Sequence, residues 1–143
     1  MRRRTARYAL VLLLTMTSSG LALPARPKLR LPAYQLPQKP EVVQSVYDFA
    51  ADHPEVLRYV PCFCGCELTG HRSAEDCFVK SRAKNGDVLS WNEHGMTCAM
   101  CLAVAKRAMD MHNAHATLRS IRDEVERSYS GLTSNRTSTP TPP

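Results

Sequence analysis

The chain has 143 residues, 43% of them hydrophobic and 22% charged, with 19 Lys and Arg against 13 Asp and Glu. That length suits one domain rather than two, and a folded part this small gains from a staple, as disulfides or as a bound metal. Four of the 19 basic residues, and no acid, fall within residues 1–22, which leaves a net +2 beyond them (15 basic, 13 acidic); with no basic patch interleaved with aromatics, nucleic-acid binding is excluded.

Arg2, Arg3, Arg4 and Arg7 precede an apolar run from Tyr8 to Met16 and the small residues of Gly20-Leu21-Ala22. These are the three regions of a secretory signal peptide, predicted over residues 1–22. The run is too short for a spanning helix, so no membrane span is expected after cleavage. The expected destination is the periplasm or the extracellular space. Residues 23–40 contain Pro24, Pro27, Pro32, Pro37 and Pro40, a density that predicts an extended linker.

The folded domain is placed at residues 41–131. Val42, Val43, Val46, Phe49 and Ala50 recur at spacings of three and four, which predicts an amphipathic helix with Pro40 in its first turn. A second short helix is expected from Pro54 to Tyr59, ended by Pro61. Residues 62–72 read as a loop with turns at Gly65 and Gly70. Ser73-Ala74-Glu75-Asp76 matches a capping box and predicts a short helix carrying Cys77, Phe78 and Val79. Lys84-Asn85-Gly86-Asp87 is a turn, and residues 91–95 read as a second loop. Strand signal is limited to Val88-Leu89-Ser90-Trp91. A long helix is expected after Thr97 as N-cap, and a last one from Thr117 to Tyr129, with Arg119–Asp123 and Arg122–Glu126 as i,i+4 pairs. Residues 132–143 are rich in Ser, Thr and Pro and read as a disordered tail. The fold class expected from these elements is all-α: four to five short helices around a cysteine-rich loop.

Chemistry is concentrated in six cysteines. In Pro61-Cys62-Phe63-Cys64-Gly65-Cys66 three of them alternate, and an extended segment points residues i, i+2 and i+4 to one side. Cys98 and Cys101 share one face at the start of the predicted long helix, where free amides and the dipole favour thiolates. Cys77 lies between the clusters. Thiolates and imidazoles are zinc ligands, and soft sulfur donors also select copper(I). The candidate metal ligands are therefore Cys62, Cys64, Cys66, Cys77, Cys98, Cys101 and His94, with copper(I) or zinc as the expected metal. Met96, Met100, Met109, Met111, His71, His112 and His115 lie near in sequence; methionines in a helical stripe are more often core filler. The alternatives are three structural disulfides, which an oxidising compartment favours, in a module that docks a cell-envelope protein, or a thiol–disulfide oxidoreductase using Cys98 and Cys101. No βαβ pattern surrounds that pair, and no serine or paired-carboxylate catalytic set exists, so the chain is not expected to be an enzyme.

The hexapeptide Pro61-Cys62-Phe63-Cys64-Gly65-Cys66 resembles the signature of the bacterial PCYCGC-motif proteins, with Phe63 in place of tyrosine. The resemblance extends through residues 47–57, Gly70-His71, Asp76-Cys77-Phe78, His94-Gly95, Cys98 to Cys101, and residues 121–129. It implies an exported protein of unknown function. Many members are lipoproteins; this chain lacks the cysteine that would carry the lipid.

Overall fold

Pro40 and Pro54 each open a helix, because a first-turn residue has no use for an amide donor. In a computed structural model, which describes residues 26–133 and 135–143, these are α1 (Pro40–Asp52) and α2 (Pro54–Leu57). The predicted signal peptide lies outside the described residues. Two short 3-10 turns follow, Cys66–Thr69 and Glu75–Cys77, then strands β1 (Val79–Arg82) and β2 (Val88–Trp91). Three helices complete the fold: α3 (His94–Thr97), α4 (Ala99–Asn113) and α5 (Leu118–Tyr129). No described helix is long and apolar enough to cross a membrane.

The all-α expectation is overturned by the hairpin. β1 and β2 pair antiparallel, with Val79 opposite Trp91 and Arg82 opposite Val88. The predicted helix over Cys77–Val79 ends after one 3-10 turn, and Val79 starts a strand instead. The physical reason is the turn at Asn85-Gly86, where Gly86 has φ +93° and Asn85 bonds Asp87. It folds two short stretches onto each other, each carrying one valine inward. The capping box is not formed either. The Asp76 carboxylate accepts from the Arg72 amide at 2.7 Å, and no side chain caps that turn.

The core lies between α1, α4 and α5. Val43, Val46 and Phe49 of α1, Leu102, Val104 and Ala105 of α4, and Ile121 and Val125 of α5 are buried in one cluster, with α4 packed against both α1 and α5. Thr117 caps α5 as predicted, accepting from the Ser120 amide. Arg122–Glu126 forms at 3.2 Å. The hairpin is fastened at two points. Tyr47 of α1 packs edge-on against Phe78 and Trp91, with ring centres 5.1 and 5.6 Å away. Arg82 donates to the carbonyls of Ala50 and Ala51, at the end of α1, while pairing with Glu75 at 2.8 Å. A cation there satisfies helix-end carbonyls that lack partners.

Both flanking segments lie against the domain. The Trp91 indole donates to the Pro27 carbonyl at 2.7 Å, and Leu29 is buried. At the other end, in the stretch that composition marks as disordered, Thr137 is 2% exposed and bonds both backbone groups of Cys62.

Gly95 shows how tightly the hairpin meets α3. A Cβ there would stand 2.5 Å from a Phe78 ring carbon and 2.6 Å from the Cys77 carbonyl oxygen. Gly95→Ala is expected to lower stability by about 1–3 kcal/mol through overpacking, a fall in Tm of roughly 4–8 °C per kcal/mol for a domain this small. Gly131→Ala, which meets nothing within 4 Å, is the matched control. Thermal unfolding followed by circular dichroism checks both, and equal melting temperatures for the two variants would contradict the close approach.

Candidate metal centre

Four separate pieces of chain bring sulfur or imidazole to one place. The first is the loop after Pro61. Between the first two cysteines, the buried Phe63 ring lies 6.0 Å from that of Tyr129 and ties the loop to α5. Cys62 and Cys64 are thereby placed with their sulfurs 3.0 Å apart. Cys66 does not follow by simple alternation. Gly65 adopts a left-handed conformation, φ +77°, and turns the chain into the 3-10 segment that Cys66 begins. Only glycine takes that conformation without cost. The second piece is the turn Glu75–Cys77, held to the first by the Ala74 amide bonding the Val60 carbonyl at 2.8 Å. Cys77 Sγ lies 3.4 Å from Cys62 Sγ.

The third piece is α3, which begins at His94 where a loop was expected. Its Nε2 stands 3.1 Å from Cys66 Sγ and 3.4 Å from Cys64 Sγ. The fourth is the start of α4. Thr97, expected to cap that helix, ends α3 instead; Cys98 takes the N-cap position in an extended conformation, and Cys101 lies one turn in. Cys101 Sγ is 3.4 Å from Cys64 Sγ.

The donors fall into two groups, within each of which all ligand atoms lie within 4.8 Å of one another. One contains Cys62, Cys64, Cys66, Cys77 and Cys101; the other contains Cys64, His94, Cys98 and Cys101. All seven residues singled out from the sequence thus meet in one cluster. The six thiols are free, with no disulfide among the described residues. The sulfur separations of 3.0–3.4 Å exceed the ~2.05 Å of a disulfide. They fall just short of the ~3.8 Å edge of a tetrahedron built on 2.3 Å metal–sulfur bonds. Such a cluster can hold a metal ion.

The neighbours named from the sequence divide. His71 joins the cluster's edge, its Nδ1 3.5 Å from Cys77 Sγ. His112 turns away, stacking on His53 and Phe49 beside α1. His115 is outside both donor groups, and Met109 and Met111 pack, half-buried, against the hydrophobic core.

Protons are shared unevenly over the sulfurs. Hydrogen bonding from Cys101, then from Cys62, holds Cys64 well below the ordinary thiol range. Cys62 is brought down to about 7, chiefly by Cys101. Cys101 is pushed up by its bonds to Cys62 and Cys64, and Cys66 is pushed up by burial. Thiolate character therefore collects on Cys62 and Cys64 rather than at the helix start, where the dipole argument placed it.

One residue that organises the site escaped the sequence reading. Asn92 sits between β2 and α3. Its Oδ1 accepts from the His94 amide at 3.1 Å, and its Nδ2 donates to the Asp76 carbonyl at 2.8 Å and approaches His71 Nε2 at 3.1 Å. Its own amide bonds the Phe78 carbonyl, and its carbonyl accepts from the Tyr47 hydroxyl. An asparagine after a strand reads as an ordinary turn residue, so nothing in the local pattern marks it. Asn92→Ala leaves the Asp76 carbonyl and the His94 amide without these partners. The expected cost is about 1–3 kcal/mol, read as a lower urea midpoint at unchanged m-value. A wild-type midpoint would show that His94 is positioned without Asn92.

A sequence model of the family described as "Protein of unknown function with PCYCGC motif" matches residues 24–142. No curated protein and no solved structure matches the chain.

Proposed function

We infer the role of this chain, which belongs to the PCYCGC-motif family, from the geometry of its cysteines: it is an exported thiolate metal-binding module that handles copper(I) or zinc at the cell envelope, and it is not an enzyme. The observation that carries this reading is the convergence of six sulfurs and one imidazole into overlapping donor groups. Structural disulfides would ask only for pairs. A redox pair would need Cys98 and Cys101 set apart beside a cleft, whereas both belong to the shared cluster.

The donor chemistry narrows the cargo. Thiolates with one histidine suit zinc, and a sulfur-dominated set suits copper(I). Handling, rather than a purely structural role, is supported by the uneven burial. Cys62, Cys66, Cys77 and Cys101 are buried, while Cys64, Cys98 and His94 are half-buried. The ligands on that side give an ion a path in and out. Export to the periplasm or beyond rests on residues 1–22 and places the module where metals enter and leave the cell. A partner protein at the envelope would receive or supply the ion.

The test is metal content together with free-thiol counting on the reduced full chain, before and after addition of copper(I) or zinc(II). Bound metal is expected to protect four or more thiols from alkylation. Six thiols alkylated at the same rate with and without metal would remove the metal reading. Cys64→Ser is expected to lower both stoichiometry and affinity, and unchanged binding would remove Cys64 from the site. Met109→Leu is expected to leave copper(I) affinity unaltered, since Met109 packs against the hydrophobic core as filler. Because thiolates and not thiols bind, affinity is expected to fall as pH falls, which competition with a chelator at two pH values reads directly.

A further inference from the structure

We propose that the cluster holds two metal ions bridged by a sulfur of the pair Cys64 and Cys101, a deepening that rests on the metal-binding reading above. The two donor groups are not alternatives of the same site. They have different outer members: Cys62, Cys66 and Cys77 on one side, His94 and Cys98 on the other, with Cys64 and Cys101 common to both. A single tetrahedral ion takes four donors. It would leave three of these seven donors unused, in a core where the spare sulfurs have no other task.

Two ions use all of them. The outer ion takes Cys64, His94, Cys98 and Cys101, which completes a tetrahedron. The inner ion takes Cys62, Cys66 and Cys77 and one sulfur of the shared pair, so that single sulfur is the bridge. The shared sulfurs lie 3.4 Å apart, so both edges of the cluster meet along one sulfur–sulfur line. A thiolate keeps lone pairs after binding one ion and can bind a second with them.

Charge favours the same arrangement. Four thiolates around one zinc(II) carry two net negative charges. Six thiolates around two zinc(II) ions carry the same two, while no thiolate is left uncompensated in a buried place. Burying an unpaired charge is the expensive alternative.

The burial pattern assigns an order. The inner donors are buried, and the outer side holds the half-buried Cys98 and His94. The inner ion is the tighter and the outer ion the exchangeable one. Cys98 also offers a clean variant. It occupies the N-cap of α4 without making a side-chain capping bond, and serine is a preferred residue there. Cys98→Ser thus removes an outer ligand while keeping the helix start sound.

The experiment is native mass spectrometry with elemental analysis on the reduced full chain titrated with zinc(II). Two ions per chain are expected, and one in Cys98→Ser. Cadmium-113 NMR of the cadmium-loaded wild type then reads the bridge. Two resonances that couple to each other through shared sulfur are expected. One zinc ion per wild-type chain would overturn the two-ion cluster and leave the metal-binding reading standing. No bound ion would overturn both. Two uncoupled cadmium resonances would overturn the bridge, and two ions in Cys98→Ser would overturn the assignment of the outer site.

Discussion

Sulfurs have no attraction for one another that would gather six of them without a cation, and everything around this cluster is arranged to impose that gathering. The loop carrying Cys62, Cys64 and Cys66, the turn carrying Cys77 and the α3–α4 junction carrying His94, Cys98 and Cys101 come from distant parts of the chain. Each is tied to its neighbour by short backbone links: Ala74 to Val60, Asn92 to Phe78, Thr137 to Cys62. Gly95 lets α3 lie against the Cys77 backbone, which no side chain would permit. The hairpin serves as the spacer that carries the chain from Cys77 to His94, and Arg82 and Tyr47 pin it to α1. The partition of protons follows from the same crowding. Sulfurs this close cannot all be charged alike, so Cys101 keeps a proton that lets Cys64 lose one.

The helices were legible because their signals are local. Apolar spacing and the prolines placed α1 and α2, and Thr117 marked the start of α5. The convergence of the cysteines was legible for a different reason: three alternating cysteines and an i,i+3 pair each announce a shared face. What escaped was set by tertiary contact. β1 has only four residues, Val79 its one buried position, too few for a period-two pattern to stand out. Cys98 was read as the first residue inside a helix and is its cap, because α3 consumes Thr97. Asn92 and Thr137 act through partners far away in sequence, and no spacing rule reaches that distance.

The cluster has two unlike sides. Toward the core, Cys62, Cys66, Cys77 and Cys101 are buried in the same cluster as Phe78, Val60 and Leu102, apolar surroundings that strengthen electrostatic contacts inside them. Toward the surface, Cys64, Cys98 and His94 are the parts that solvent and a partner can reach.

The bonds between Thr137 and Cys62 have a consequence in time. They span 75 positions of sequence, and they engage both the amide and the carbonyl of the first cysteine in the cluster. During synthesis that cysteine emerges long before its backbone partners exist. The cradle therefore cannot reach its finished shape until nearly all of the domain has been made, so a chain cut short before Thr137 would leave both backbone groups of Cys62 without these partners.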